Sequence, residues 1–298
     1  MRRLAALTLL FALPAAAAAQ GLGLADGREK GAGPGRFRLS AVTGYSEAEG
    51  LDHRSAGLSA GVPLGKGTSL DASFAAHRIR RDGWLPGHLY AAGAGISAKR
   101  GKYTFMAGLK SSSDKPFYSI RETDISLNAS KVINRKGPHS FSFGLAYASR
   151  RSFARRIPFP YFLYAYDSDK LSFHLPFRVS WRPSGDYELS AAWFPPKYCR
   201  LSVRRKVSDA LSFKAEYALG ALQFDIAGRP DKDYSVFIEQ SSAGLWTYYR
   251  TLPDYTFSLW TGWELPGKYY TGKTYDDHHD QNGIHPSPAF SFGVTRLF

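Results

Sequence analysis

From Arg36 onward the chain alternates apolar and polar residues with a period of two, the mark of strands wetted on one side only. In 103–113, Tyr103, Phe105, Ala107 and Leu109 oppose Thr104, Gly108 and Lys110. In 139–150, Phe141, Phe143, Leu145 and Tyr147 oppose Ser140, Ser142, Gly144 and Ala146. In 171–181, Leu171, Phe173, Leu175, Phe177, Val179 and Trp181 oppose Ser172, His174, Arg178 and Ser180, and 211–222 repeats the scheme. The last stretch sets Phe290, Phe292, Val294 and Phe298 against Ser291, Gly293 and Thr295. Each apolar face runs for about ten residues, close to the 9–11 that a tilted strand needs to cross hydrocarbon.

The pattern predicts strands over 36–45, 53–64, 69–80, 88–98, 103–113, 122–132, 139–150, 171–181, 187–194, 198–206, 211–224, 234–249, 255–263 and 288–298. The connections fall into two classes. Gly65–Gly67, Lys99–Lys102, Asn134–Gly137, Pro183–Asp186, Val207–Asp209 and Leu252–Asp254 are short turns, whereas 81–87, 114–121, 151–170, 225–233 and 265–286 are longer. Short turns at one end and long loops at the other belong to antiparallel transmembrane barrels. With 14 strands every short turn falls on the side of the two termini, and 151–170 is an outer loop. A second reading makes Tyr161–Tyr166 a strand and breaks 171–181 at Pro176, giving 16; it needs strands of five or six residues, short for a bilayer, and 14 is preferred. A soluble sandwich or lipocalin-like barrel would bury one face instead. The many aromatics at strand ends favour the membrane reading, where they form interfacial belts.

The start of the chain agrees. Arg2 and Arg3, an apolar run from Leu4 to Leu13 and an Ala-rich stretch to Ala19 predict a signal peptide over 1–19. Residues 20–35, Gly-rich and without period, read as a flexible periplasmic lead, and 36–298 as the barrel. No later run of 18 apolar residues offers a transmembrane helix, so a membrane-embedded chain has to close as a barrel. Without Arg2 and Arg3, 37 of the 39 Lys and Arg face 25 acidic side chains, an excess of +12. Such an excess belongs in a lumen or in water, since Lys or Arg against mid-bilayer lipid costs roughly 2–4 kcal/mol. Export argues against nucleic acid as the partner of this charge. Cys199 is the only cysteine, so no intramolecular disulfide forms.

Two stretches carry resemblances. Ser291-Phe-Gly-Val-Thr-Arg-Leu-Phe298 resembles the C-terminal assembly signal of bacterial outer-membrane proteins, carried on Ser291, Gly293 and Phe298, with Arg296 departing from it. This resemblance implies the barrel-assembly machinery as a partner. Ile157-Pro-Phe-Pro-Tyr-Phe-Leu-Tyr-Ala-Tyr166, Lys170–Pro176, Trp181-Arg-Pro183 and Trp193-Phe-Pro-Pro196 resemble a family of uncharacterised bacterial outer-membrane proteins of the DUF6268 type. The resemblance is clearest over 157–224 and implies a barrel without adding a substrate, a cofactor or a catalytic residue.

With the apolar face outward, His174, Arg178, Arg182, Arg200, Arg204 and Lys214 form a basic inner wall. Rings of Arg and Lys favour anions in pores. The bland reading pairs them with lumenal acids such as Asp71, Asp124 and Glu216. Arg150, Arg151, Arg155 and Arg156 flank an outer loop, where guanidinium forks suit the phosphates of lipopolysaccharide. Asp277, His278, His279 and His285 are weak metal candidates, because their spacing matches no defined motif. His77, His88, His139 and His174 lie near serines, but no Gly-x-Ser-x-Gly elbow is present and no catalytic residue is assigned. The expectation is a bacterial outer-membrane β-barrel without cofactor, in contact with lipid and lipopolysaccharide. It would serve as a pore for small anionic solutes, or alternatively as a closed structural or surface-interaction barrel, with a rim lipid hydrolase as the third reading.

Overall fold

The structure is a computed structural model and describes residues 36–48, 51–80, 85–150, 157–175, 178–194, 198–229, 231, 233–252 and 254–298. The expected signal peptide and periplasmic lead lie outside the described residues. The strands are β1 (Arg38–Ala48), β2 (Leu51–Gly65), β3 (Thr68–Arg80), β4 (His88–Arg100), β5 (Tyr103–Ser113) and β6 (Thr123–Lys136). They continue with β7 (His139–Ala148), β8 (Phe159–Asp167), β9 (Leu171–Leu175), β10 (Arg178–Trp181), β11 (Tyr187–Phe194) and β12 (Tyr198–Lys206). The last are β13 (Leu211–Phe224), β14 (Ser235–Leu252), β15 (Tyr255–Glu264), β16 (Gly267–Gly272), β17 (His279–Ile284) and β18 (Ser287–Leu297).

Each strand from β1 to β14 pairs antiparallel with the next, and β18 joins β15 to β1, closing a ring of 16 strands. The seam is made by Arg38–Ser46 of β1 against Ala289–Leu297 of β18, extended by a Phe298 N–H donated to the Phe37 carbonyl at 2.9 Å. Closure pairs the strands all the way round the ring, and the short β9 and β10 leave sheet edges above them on β8 and β11. Both ends of the barrel domain lie at one rim, together with the tight turns at 66–67, 101–102, 137–138 and 207–210. Gly67, Gly101 and Gly137 sit at φ of 73°, 58° and 57° in these turns, a backbone that side chains resist.

The preferred count of 14 is corrected to 16 in the ring, with β16 and β17 outside it. Residues 159–167 are β8 rather than part of an outer loop, and 168–170 form a turn at the terminal rim. β9 and β10 are 5 and 4 residues long and pair with each other, with His174 opposite Arg178 and Leu171 opposite Trp181. The length argument against such strands fails because each needs only the lower ends of β8 and β11 to satisfy its backbone. Residues 265–286, expected as a loop, carry β16 and β17 as a hairpin that continues β15 and β18 beyond the barrel and pairs with Ser235–Glu239 of β14.

One face of the ring is an apolar belt. Leu58, Phe74, Phe105, Leu127, Leu145, Trp193, Leu201, Leu259 and Phe292 are all exposed on it. Arg296, the departure from the assembly pattern, lies on this face at the terminal rim, its guanidinium 4.1 Å from the centre of the Phe298 ring and 4.9 Å from that of Tyr255. The stem stays in the belt while the charge rests on aromatic faces.

Candidate lumenal site

The inward face begins as a consequence of register. β9 to β13 turn their outer face to the belt through Phe173, Val179, Trp181, Leu201 and Tyr217, so the alternate residues His174, Arg178, Glu188, Arg200, Arg204, Lys214 and Glu216 point into the lumen. The next two strands add inward Trp246, Tyr248 and Trp260, with Trp246 opposite Lys214 and Trp260 opposite Trp246.

All six residues expected on the basic wall therefore share it, and the structure shows how each is held. His174 Nε2 lies 3.0 Å from Asp167 Oδ1, Arg182 lies 3.5 Å from Glu188, and Arg200 lies 3.7 Å from Glu216. Lys214 donates to the same Glu216 at 2.8 Å, and Trp246 Nε1 donates to its other oxygen at 3.3 Å. Arg204 donates to Ser212 at 3.0 Å and lies over the Tyr248 ring at 5.3 Å. Lys214 stands 5.4 Å from the Trp246 ring centre. Arg178 has no carboxylate partner among the described residues; it lies near the phenol of Tyr198. The wall thus combines cations with aromatic faces, and its acids, Asp167, Glu188 and Glu216, are fewer than its cations. Of the acids foreseen as neutralising partners, Glu216 takes that role, Asp71 pairs with Arg38 at 3.8 Å, and Asp124 accepts from Ser149 and the Arg150 backbone. Across the lumen, β1 to β7 turn inward small polar residues, among them Ser59, Ser73, Ser97, Thr104, Ser126 and Ser142, together with the charged Arg38, Asp71, Lys99, Lys110 and Asp124.

The outer rim is pinched shut on one side. A round ring of 16 strands spaced ~4.8 Å apart would hold opposite walls about 30 Å from each other. Yet Asp225, which follows β13, donates its N–H to the Ser112 carbonyl of β5 at 2.8 Å, eight strands away around the ring. The start of the connection, 225–229, is locked there by ion pairs of Asp225 with Arg150 at 2.7 Å and Arg229 at 3.6 Å, and of Arg229 with Glu122 at 3.4 Å. Ala227 N–H adds a bond to Asp114 at 2.7 Å, and Ser235 one to Asp225 at 2.6 Å. Burial pushes the Asp225 carboxyl above its ordinary value, although Arg150 and Arg229 pull the other way. Beneath this lid an apolar cluster fills the mouth: Ile79 and Leu89 meet Leu222, Phe224, Val236, Ile238, Tyr269 and Ile284. His77, 3.1 Å from His53, packs edge-on against Phe224.

Of the possible lipopolysaccharide contacts, Arg150 turns inward to the lid, and Arg151, Arg155 and Arg156 lie outside the described residues. His279 pairs with Asp277 at 2.7 Å, while His278 Nε2 lies 2.8 Å from the Tyr275 carbonyl and 3.3 Å from Lys268; His285 is exposed apart from them. No three metal-ligating side chains converge among the described residues. A backbone N–H from Lys273 holds the Asp277 carboxyl below the usual carboxylate range, with His279 adding to the effect. Of the histidines beside serines, only His174 meets both a hydroxyl and a carboxylate among the described residues. Ser172, however, donates directly to Asp167 at 2.8 Å, and the same His174 nitrogen faces both partners. A nucleophile relay needs the imidazole to stand between serine and acid through its two nitrogens, and this trio does not provide that order.

In the assembly stretch, Ser291 and Gly293 face inward, and Phe298 stacks obliquely on Phe37 at 5.1 Å. Sequence reading missed the lid, since Asp225, Arg229 and Glu122 look like loop charges until the ring closes. It also missed the inward aromatics Trp246 and Tyr248, because β14 is apolar on both faces and its period is hidden, and Tyr161, because 151–170 reads as a loop.

No protein family matches the sequence, and no curated protein is similar to it. Among solved structures, an outer membrane channel from Pseudomonas putida F1 aligns with a TM-score of 0.40 and 11% identity over 90% of this chain and 97% of that one. The KdgM porin aligns at 0.33 with 7% identity over 87% and 99%, and the NanC porin at 0.33 with 11% over 87% and 98%.

Proposed function

We propose that this chain is a bacterial outer-membrane barrel that carries small anionic solutes past the wall formed by Arg178, Arg182, Arg200, Arg204 and Lys214. The observation that carries the reading is the excess of inward cations over carboxylates on β10 to β13. The apolar belt supports the membrane placement, because every full-height face it covers would otherwise expose large apolar side chains to water. Contact with lipopolysaccharide, insertion by the barrel-assembly machinery and kinship with the DUF6268-type proteins are parts of the same proposal. The test is ion selectivity in planar bilayers. Anions should carry more current than cations, and Arg178→Ser, Arg200→Ser and Arg204→Ser together should move the reversal potential toward the unselective value. An absence of conductance under all conditions would rule the pore out.

A second reading has its own observation. The lid pinned to β5 and the apolar cluster beneath it close the outer mouth on one side, as a structural or surface-interaction barrel would require. Conductance that appears only when the lid is released would favour a gated pore over this reading.

A further inference from the structure

The barrel wall is incomplete in height between β8 and β11. β9 contributes 5 residues and β10 contributes 4, whereas β2, β3 and β4 contribute 15, 13 and 13. Five residues at ~3.3 Å each, tilted about 40°, rise roughly 13 Å from the terminal rim, about half of the ~25 Å apolar band of such barrels. β8 pairs with β9 only through Tyr164–Asp167, and β11 pairs with β10 only through Leu189–Ala192. Above those pairs, among the described residues, Phe159–Leu163 has β7 as its one ladder partner, and Trp193 and Phe194 have β12. Three strand spacings separate β8 from β11, about 14 Å. The result is a notch that opens sideways at the level of the outer leaflet.

Unpaired backbone facing lipid costs several kcal/mol per group, so the rims of such a notch have to meet water or a polar ligand. The sequence lessens the demand, since Pro158 and Pro160 on the β8 side carry no N–H. Outside, the sill is apolar, with Leu175, Phe162 and Trp193 exposed by 50%, 60% and 55%. Inside, at its foot, stands Arg178, the first residue of β10, in register with His174 and Ala192 and without a carboxylate partner among the described residues. The lid and its apolar cluster block the mouth on the opposite arc, from β13–β14 to β3–β5.

We propose that this notch is a lateral port for a single-chain amphiphile bearing one anionic headgroup, a carboxylate or a phosphate. The headgroup binds Arg178 in the lumen and the chain crosses the Phe162, Leu175 and Trp193 sill into the outer leaflet. The proposal rests on the membrane placement given above and not on axial conduction.

The test uses the full chain in lipid nanodiscs, with pyrene-labelled dodecanoate as the probe and empty nanodiscs as background. Saturable binding is expected, weakened at least tenfold by Arg178→Ala and by Ala192→Trp, which fills the foot of the notch. Arg205→Ala should leave it unchanged, because Arg205 lies over Tyr187 on the outer face, 5.6 Å from its ring centre. Heat-modifiable gel mobility checks that each variant is folded. Dodecyl phosphate should displace the probe far better than inorganic phosphate; equal displacement by the two would leave no role for the chain and overturn the lateral route. Binding that survives both Arg178→Ala and Ala192→Trp overturns the proposal, as does an absence of saturable binding by the unmodified protein, which would mean that a chain segment or a second copy covers the notch. Loss of ion conductance with probe binding intact would refute the axial pore and leave the port standing.

Discussion

Asp225→Ala tests whether ion pairs hold the mouth closed. The carboxylate accepts from Arg150 at 2.7 Å, from Ser235 at 2.6 Å and, more distantly, from Arg229 at 3.6 Å. Its side chain is 8% exposed and those of Arg150 and Arg229 are 10% and 9%, so removal takes a shared counter-charge away from two buried cations, with Arg229 keeping its pair to Glu122. Breaking one partner of a buried pair costs about 3–5 kcal/mol. The strand ladders of the ring do not depend on Asp225, so the cost falls on the docked connection. At about 1.4 kcal/mol per factor of ten, 3 kcal/mol raises the open fraction of the lid at least a hundredfold. Single-channel recording in planar bilayers reads this directly: the variant should open far more often or conduct at a higher level than the unmodified protein. Asp209→Ala, at the opposite rim, is the control. Added salt should matter little, because buried pairs are weakly screened. A folded Asp225→Ala barrel with an unchanged current trace would refute the reasoning and assign closure to the apolar cluster around Phe224 and Leu89.

Other consequences are local. Deleting Phe298 removes a backbone hydrogen bond and a ring contact at the β1–β18 seam, so the yield of heat-modifiable barrel should fall in an in vitro assembly assay. A Cβ on Gly144 would run into the Tyr161 ring, whose hydroxyl donates to Asn128 at 2.9 Å. Gly144→Ala should therefore lower stability in urea by roughly 1–3 kcal/mol, with Tyr161→Ala in the same chain recovering part of the loss. Because the Asp277 carboxyl is held below its ordinary value, the order it confers on the β16–β17 tip is present at neutral pH and lost only as pH falls through that lowered value. Hydrogen exchange at the Lys273 amide should accelerate there and not between pH 5 and 8.

Much of this was legible in the chain itself. A period of two in 139–150 or 211–222 is a statement about one strand and its two faces, and it needs no partner to be read. The short turns at Gly65–Gly67 and Asn134–Gly137 follow from residues that tolerate a positive φ. The basic wall followed from the same period: once Phe173 and Trp181 face outward, His174 and Arg178 can only face inward. Where period and length disagreed, length misled. Tyr161–Tyr166 and the two halves of 171–181 look too short to span, whereas β8 runs to nine residues and the short pair 171–175 and 178–181 is held by neighbours of unequal height.

The sequence by itself therefore determined the antiparallel barrel, the inward and outward sets and the end at which the termini meet, because alternation and turn chemistry are local properties. What only the tertiary structure decided is non-local. Asp225 reaches Ser112 and Arg150 because ring closure and inward folding at the rim bring together segments more than 70 residues apart. The notch likewise depends on how far each strand finds a neighbour, and no strand carries that information alone.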